Sequence, residues 1–414
     1  MFKSIQKIEF TDYCFVAALV AVSGFPFFMV SQFYFTLLFV IVTFFYLKRS
    51  KIFDFRSLYV LIPFMSIEII QFVLIHPHDP ILMVGTFIRL AAGLFTVKLV
   101  GKKFTDYYIN IITFFAGLSF FFFIPCLLFH SFFTFFVNHI CTFFASPFEE
   151  KSGFYIVWPT IWVYTFHDCI LQELRNPGPF WEPGLFSIYI NLALMFNLIK
   201  EKKIVTRKNI ILILALLSTF STGGYVPFFV LVYAFYMVNQ SMAKKIIFSA
   251  VALPLVITIY YSADFLSSKI EQNISMAGTT TSSRFGSAMA DINDFSTSPL
   301  IGWGRGQTRY GGRVYAFFTE DQHRNNSVTD LLATYGIFIF IMYFAWYYKG
   351  LHGMCVEANF QTGFAGFALL VILMLGFSQS IFLKPFFYSL LFIQYNYPKR
   401  QYGNNLTLQH EDID

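Results

Sequence analysis

Charge is scarce in this 414-residue chain: Asp, Glu, Lys and Arg make up 13% of it, against 57% hydrophobic residues and 58 phenylalanines. With a mean hydropathy of +0.61, that excludes an ordinary soluble domain. Cysteine is sparse too. Cys14, Cys126, Cys141, Cys169 and Cys355 form no CxxC motif and no Cys/His cluster, which argues against zinc. A Cys141–Cys169 pairing stays open if both occupy one outer loop. No cleavable signal-peptide pattern is present: Met1 to Phe10 is mixed and polar, and the first apolar run reads as a retained span. The net charge of +6 does not imply nucleic acid, because most basic residues lie in short loops beside apolar runs, where they set orientation.

Long apolar runs are what the chain does have. About 20 such residues cross about 30 Å of hydrocarbon. Spans are expected near 12–30, 32–47, 57–75, 81–99, 107–129, 184–199, 209–221, 224–239, 245–262, 327–348, 360–377 and 380–396. Alternate loops divide sharply. One set carries Lys3, Lys7, Lys48, Arg49, Lys51, Arg56, Lys102, Lys103, Lys200 to Lys208, Lys244, Lys245, Lys349, Lys399 and Arg400, whereas the opposite short loops at 31, 76–80, 222–223 and 378–379 carry no Lys or Arg. The expected fold is therefore an all-α polytopic membrane protein of about twelve helices, a single transmembrane domain over 1–414 with both termini cytoplasmic. Two long segments, 130–183 and 263–326, fall on the outer side. The apolar stretch 130–145 within the first reads as an interfacial or re-entrant helix, since a crossing there would invert every later loop.

The second outer segment is where arginine is unexpectedly plentiful: Arg284, Arg305, Arg309, Arg313 and Arg324, with His323. A guanidinium fork suits phosphate, so an anionic ligand would explain this concentration. In the first segment, Arg175-Asn-Pro-Gly-Pro-Phe-Trp-Glu182-Pro-Gly is a rigid lead-in to a helix starting near 183. It reads either as a helix cap with an Arg175–Glu182 ion pair, or as an arginine and a carboxylate aimed into a membrane-level cavity. Thr279 to Arg284 and Ser298 to Arg305 combine hydroxyls, glycines and arginines, the makings of an anion loop or of a flexible one. His323 is the best-placed titratable base. Ser221-Thr-Gly-Gly224 is either a tight outer turn or a broken-helix site. Arg89 lies within a span and needs a partner such as Glu68 or a cavity, and Lys384, near the outer end of the last span, reads as snorkelling. Trp158, Trp162, Trp181, Trp303 and Tyr310 would stack on sugars or anchor at the interface.

Taken in order, Arg175-x-x-Gly178-x-Phe180-x-Glu182-Pro183-Gly184, Ser221 to Gly224, Arg284 ahead of Pro299-Leu-Ile-Gly302-x-Gly304, and Asn326 ahead of Tyr335-Gly336 resemble the O-antigen polymerase and ligase superfamily over about 175–340. The resemblance implies a GT-C-like glycosyltransferase of the bacterial inner membrane. Such an enzyme moves a glycan from an undecaprenyl-pyrophosphate carrier to an acceptor sugar at the periplasmic face, without a cofactor. It implies pyrophosphate contacts by Arg175 and Arg284, with Arg305 as a third candidate, and a catalytic role for His323 or Glu182; Arg324 and Asn326 are further substrate contacts. Its partners would be the lipid-linked donor and acceptor, the bilayer, a chain-length regulator and a flippase. Many members carry His-Asn ahead of the glycine. Here Asn325 and Asn326 take those places and His323 falls two residues early, which favours a polymerase over a ligase. The outer loops hold no DxD motif and no His/carboxylate cluster, so no metal is expected. A flippase is the rival outside enzymes, but no internal repeat is apparent and the charges gather at the outer face rather than the midplane.

Overall fold

The computed structural model describes residues 2–49, 55–74, 80–144, 159–166, 175–247, 249–250, 283–305 and 324–397. Among these residues regular structure is helical, with a bridge between Thr160 and Thr165 and no strand. The helices are α1 (Phe2–Gly24), α2 (Pro26–Val30), α3 (Gln32–Arg49), α4 (Leu58–Leu74), α5 (Pro80–Val100), α6 (Phe104–Leu128), α7 (His130–Phe135), α8 (Pro183–Glu201), α9 (Arg207–Ser218), α10 (Thr222–Asn239), α11 (Arg284–Thr297), α12 (Ser327–Glu357), α13 (Phe364–Ser378) and α14 (Pro385–Leu390). The described residues include five helical runs long and apolar enough to cross a membrane: Gln32–Arg49, Phe55–Leu74, Pro80–Leu128, Pro183–Glu201 and Ser327–Glu357. The chain is thus an all-α protein with membrane-spanning character. The run Pro80–Leu128 is broken at Gly101, whose φ of +62° ends α5 before Lys102 and Lys103. α8 is the central helix: 89% of its apolar window is buried, against 22% for α3, which turns Phe33, Phe44 and Leu47 outward.

Contacts between helix ends sort the molecule into two poles. At one pole Lys103 pairs with Glu9 (2.5 Å) and Lys102 with Glu357 (2.5 Å). Arg49 pairs with Asp12 and Lys200 with Asp106. The Tyr395 hydroxyl donates to the Arg56 carbonyl (2.8 Å), and Asn396 donates to that of Gly101 (2.9 Å). This pole gathers the start of α1, the end of α3, the start of α4, the α5–α6 turn and the ends of α8 and α12. Arg49, Arg56, Lys102, Lys103 and Lys200 belong to lysine- and arginine-bearing loops or helix ends that meet here.

Within 130–144, Phe136 packs on Phe122 (5.9 Å) of α6, while Phe144 meets Trp162 (5.4 Å), which in turn touches Phe27 (5.3 Å) in α2. The hydrogen bonding of this segment passes from α through π to 3-10 within 15 residues, so no continuous spanning helix forms.

Two expected spans come out differently. The first breaks at Phe25, where Pro26 cannot donate into α1 and instead starts α2. The last is not one helix: α14 covers six residues and is followed by a 3-10 turn, Ile393–Asn396. Side chains satisfy this irregular backbone. Ser23 Oγ accepts from Phe386 N (2.8 Å), and the Tyr343 and Tyr347 hydroxyls donate to the Phe382 (2.9 Å) and Phe387 (2.7 Å) carbonyls. Non-helical backbone at membrane depth survives where protein encloses it in this way. The expected span at 245–262 lies, apart from its first residues, outside the described residues.

Candidate functional site

The lead-in to α8 is fixed before any functional group is positioned. Asn176 is fully buried, and its amide nitrogen donates to Ser119 Oγ (2.8 Å) and Ser218 Oγ (2.9 Å), tying the segment to α6 and α9. Its side-chain oxygen accepts from Gly178 N (3.0 Å). Gly178 holds φ +54°, and a Cβ there would meet the Phe186 ring at 2.7 Å, so only glycine fits. Phe180 is buried between Tyr189 (4.4 Å), Phe25 (5.2 Å) and Phe186 (5.6 Å). With Phe180 plugged into the core and Pro183 starting the helix, Trp181 and Glu182 are left at the mouth, both half-buried.

Around that mouth four distant parts of the sequence converge. Arg175 donates from Nε to the Thr219 carbonyl at the end of α9 (3.0 Å). Arg284, first residue of α11, donates from Nε to the Ser378 carbonyl at the end of α13 (2.7 Å). Gln379 hydrogen-bonds Glu182, and its amide lies 3.0 Å from where a Gly184 Cβ would stand. Ser221 Oγ lies 3.8 Å from that same point. Glu182 makes no capping hydrogen bond to α8, so its carboxylate is not spent on the helix start. Burial pushes its pKa up from the ordinary glutamate range, while the positive charges of Arg284 and then Arg175 pull it down; burial wins. Burial likewise lowers that of Arg284, which Glu182 supports and Arg175 opposes. The two arginines therefore sense the same carboxylate and each other.

The glycines of the Ser221 turn serve packing. A Cβ on Gly224 would strike Ser187 at 2.4 Å and one on Gly223 would strike Ser378 at 2.9 Å, so α10 lies hard against α8 and α13. Asn191 reinforces this by donating to the Gly224 carbonyl (3.0 Å). The segment is a tight turn between helices, and it sets Ser221 beside Gly184.

The other glycine motif works in the same manner. Gly302 and Gly304 have φ +68° and +73°, and Gly336 interrupts α12 at φ +73°. Trp303 N and Gly304 N donate to the carbonyls of Ala333 (2.9 Å) and Thr334 (2.9 Å), and Ile337 N donates to that of Pro299 (2.9 Å). Gln71 from α4 clamps both strips, donating to the Ile301 carbonyl (2.5 Å) and the Thr334 carbonyl (2.8 Å). The loop 299–304 is thereby threaded along the break in α12.

This threading carries Arg305 away from Arg175 and Arg284. Its guanidinium donates to Thr86 Oγ1 of α5 (3.1 Å). Arg89, one turn further along α5, lies over the Phe35 ring (5.5 Å). Glu68 acts electrostatically on Arg89, and its carboxylate accepts a hydrogen bond from the Tyr335 hydroxyl (2.8 Å). Lys384 does not snorkel. Its ammonium sits over the Trp181 ring (4.9 Å) and 3.4 Å from Met29 Sδ.

Two expected substrate contacts are occupied elsewhere. Arg324 forms a buried ion pair with Asp291 (3.2 Å), and Asn326 caps α12 by accepting from Val328 N (3.0 Å) and Thr329 N (3.3 Å). Thr329 also donates to Asp291 (2.7 Å), so these residues fasten α11 to the start of α12. Trp162 packs among Phe27, Phe28 and Phe144, and Trp303 Nε1 donates to the Asp294 carbonyl (2.9 Å). His323, Trp158, Tyr310, Arg309, Arg313 and Cys169 lie outside the described residues, and Cys141 is a free thiol. Ser378 and Gln379 were not among the expected site residues. The signal available was a polar Ser-Gln-Ser interruption between two apolar runs in a loop without charge.

No protein-family model matches this chain, and no curated protein matches it significantly.

Proposed function

We propose that this chain is a multi-pass glycosyltransferase of GT-C-like architecture, crossing the bacterial inner membrane about twelve times. It polymerises undecaprenyl-pyrophosphate-linked oligosaccharide repeat units into surface polysaccharide at the periplasmic face. The observation that carries the reading is the meeting of Arg175, Glu182 and Arg284 with Gln379 and Ser221 at one pole, opposite the pole of paired lysines.

In this reaction a lipid pyrophosphate leaves from the anomeric carbon of the donor sugar. Charge grows on its bridging oxygen as the C–O bond breaks, and preorganised guanidinium groups stabilise it. Arg175 and Arg284 supply those groups. The acceptor hydroxyl oxygen attacks from the opposite face, the new glycosidic bond forms with inversion, and the hydroxyl proton passes to Glu182 or to His323. Holding Glu182 between the arginines keeps it anionic enough to accept a proton, while burial keeps it basic enough to want one. The undecaprenyl tail lies along the phenylalanine-rich helices, and a flippase and a chain-length regulator would act before and beside this step.

The test is reconstitution of purified protein with lipid-linked repeat unit, read as a ladder on a gel and repeated with chelator. Ladder formation by the wild type, unchanged by chelator and lost in Arg175→Ala and Arg284→Ala, supports the reading; a ladder of normal length in both variants refutes the phosphate clamp. In a deletion strain, single repeat units left on the acceptor mark a polymerase, whereas lipid-linked polymer left unattached marks a ligase.

A further inference from the structure

Arg89, Arg305 and Lys384 lie close enough to act on one another electrostatically, and Lys384 sits over Trp181. They come from three separate elements: α5, the loop threaded along the break in α12, and the turn between α13 and α14. Each side chain is half-buried. Among the described residues their direct contacts are a threonine hydroxyl for Arg305, a phenylalanine face for Arg89, and a tryptophan face and a thioether for Lys384. Glu68 is the nearby carboxylate, and one of its oxygens is engaged by the Tyr335 hydroxyl. Asp330 also acts electrostatically on Arg305. Cations withdrawn from water cost several kcal/mol each unless compensated. Among the described residues three cations face two carboxylates, Glu68 and Asp330, an excess of positive charge that an anion would balance.

Hydrogen bonds fix the framework around these cations. Thr86 is fully buried, Gln71 holds the 299–304 loop, and the Tyr335 and Tyr388 hydroxyls lie 3.5 Å apart. Trp181 forms the edge shared with the other site, because Glu182 follows it directly. Gln379 and Lys384 likewise border the two sites from one short turn.

We propose that Arg89, Arg305 and Lys384 form a second anion site, separate from Arg175 and Arg284, that takes the phosphate or pyrophosphate of a second lipid-linked molecule. That the anion belongs to a second glycan carrier rests on the proposed polymerase reading; that an anion binds rests on the geometry alone. A polymerase joins two molecules that each carry a lipid pyrophosphate, so two phosphate sites flanking Trp181–Glu182 would hold donor and acceptor together.

The experiment is equilibrium binding to the purified full chain in detergent, with inorganic pyrophosphate in one arm and farnesyl pyrophosphate in the other. The wild type is expected to bind two equivalents, and Lys384→Met, Arg305→Gln and Arg284→Gln one each. In the first two variants affinity at the second site falls about tenfold or more, the size of losing one charge-assisted hydrogen bond. The ligand-free melting temperature of Lys384→Met should not fall, since its ammonium meets an aromatic ring and a thioether; a purely structural role predicts the opposite. Binding of both probes assigns the site to the phosphate group itself, and binding of farnesyl pyrophosphate alone assigns it to a lipid headgroup. One equivalent in the wild type, or two in both cluster variants, overturns the proposal. A ladder assay separates the two claims. Two equivalents without a ladder keep this site and remove the polymerase reading, whereas a normal ladder in both variants with unchanged binding does the reverse.

Discussion

The two poles of the molecule use charge in opposite ways. At one, Lys102 meets Glu357 and Lys103 meets Glu9 with about half of each side chain still exposed. At the other, Arg175 and Arg284 donate to backbone carbonyls, Arg305 to a hydroxyl, and Arg89 and Lys384 to aromatic faces. Surface pairs are worth little and ask for nothing more. Guanidinium groups withdrawn from water beside Glu182 depend on the few groups around them for compensation. On the proposed reading, the contrast would separate basic residues that orient a chain in a bilayer from basic residues that bind substrate.

The largest effect should come from breaking the second pole. Arg175→Ala and Arg284→Ala should each lower product formation by about 10²–10³-fold, the scale set by removing one preorganised electrostatic donor, with normal accumulation in the membrane. The ladder assay reads this. Glu182→Gln sharpens the same pole through pH. Because burial raises the Glu182 pKa, a wild-type reaction that needs the carboxylate falls off as pH drops through a value above the ordinary ~4.3. The Gln variant should have low activity without that acidic limb. The linked stability effect has the opposite sense. A carboxyl with a raised folded pKa favours folding most at low pH, and that contribution is lost as pH rises from the unfolded value through the folded one.

Effects on stability come next. Asp291→Asn leaves Arg324 as a buried cation without its carboxylate and should cost about 3–5 kcal/mol, seen as a large drop in melting temperature. Gly336→Ala should cost about 1–3 kcal/mol, because a Cβ there would lie 2.3 Å from the Leu300 carbonyl at φ +73°. The smallest effect belongs to the first pole: Lys102→Gln should change stability by about 0.5 kcal/mol and only at low salt. A Lys102 variant that abolished the ladder would erase the distinction between the poles.

Much of this arrangement was legible from residue order. Apolar runs and the alternation of lysine-bearing loops marked most helices, because membrane insertion writes itself into composition. The Arg175–Glu182 segment and Arg284 were legible because proline, glycine and charge are conspicuous in an apolar chain. Gln379 was not, since nothing local distinguishes a glutamine in a short turn from a solvated one. Arg305 was grouped with the wrong partners: its position depends on Gly302, Gly304 and Gly336 interlocking across 30 residues, which only the fold reveals. Arg324 and Asn326 looked available by position yet hold α11 to α12, because burial and not sequence spacing decides whether a polar residue is spent on the scaffold. Lys384 misled for a related reason, as the turn ahead of the short α14 sets its ammonium over the Trp181 ring and beside Met29 Sδ.

The most direct measurement is a structure of the full chain with lipid-linked repeat unit bound. The account predicts pyrophosphate density in contact with the guanidinium groups of both Arg175 and Arg284, with Glu182 facing a sugar hydroxyl. Density lodged elsewhere, with both arginines still bound to the Thr219 and Ser378 carbonyls, would contradict it.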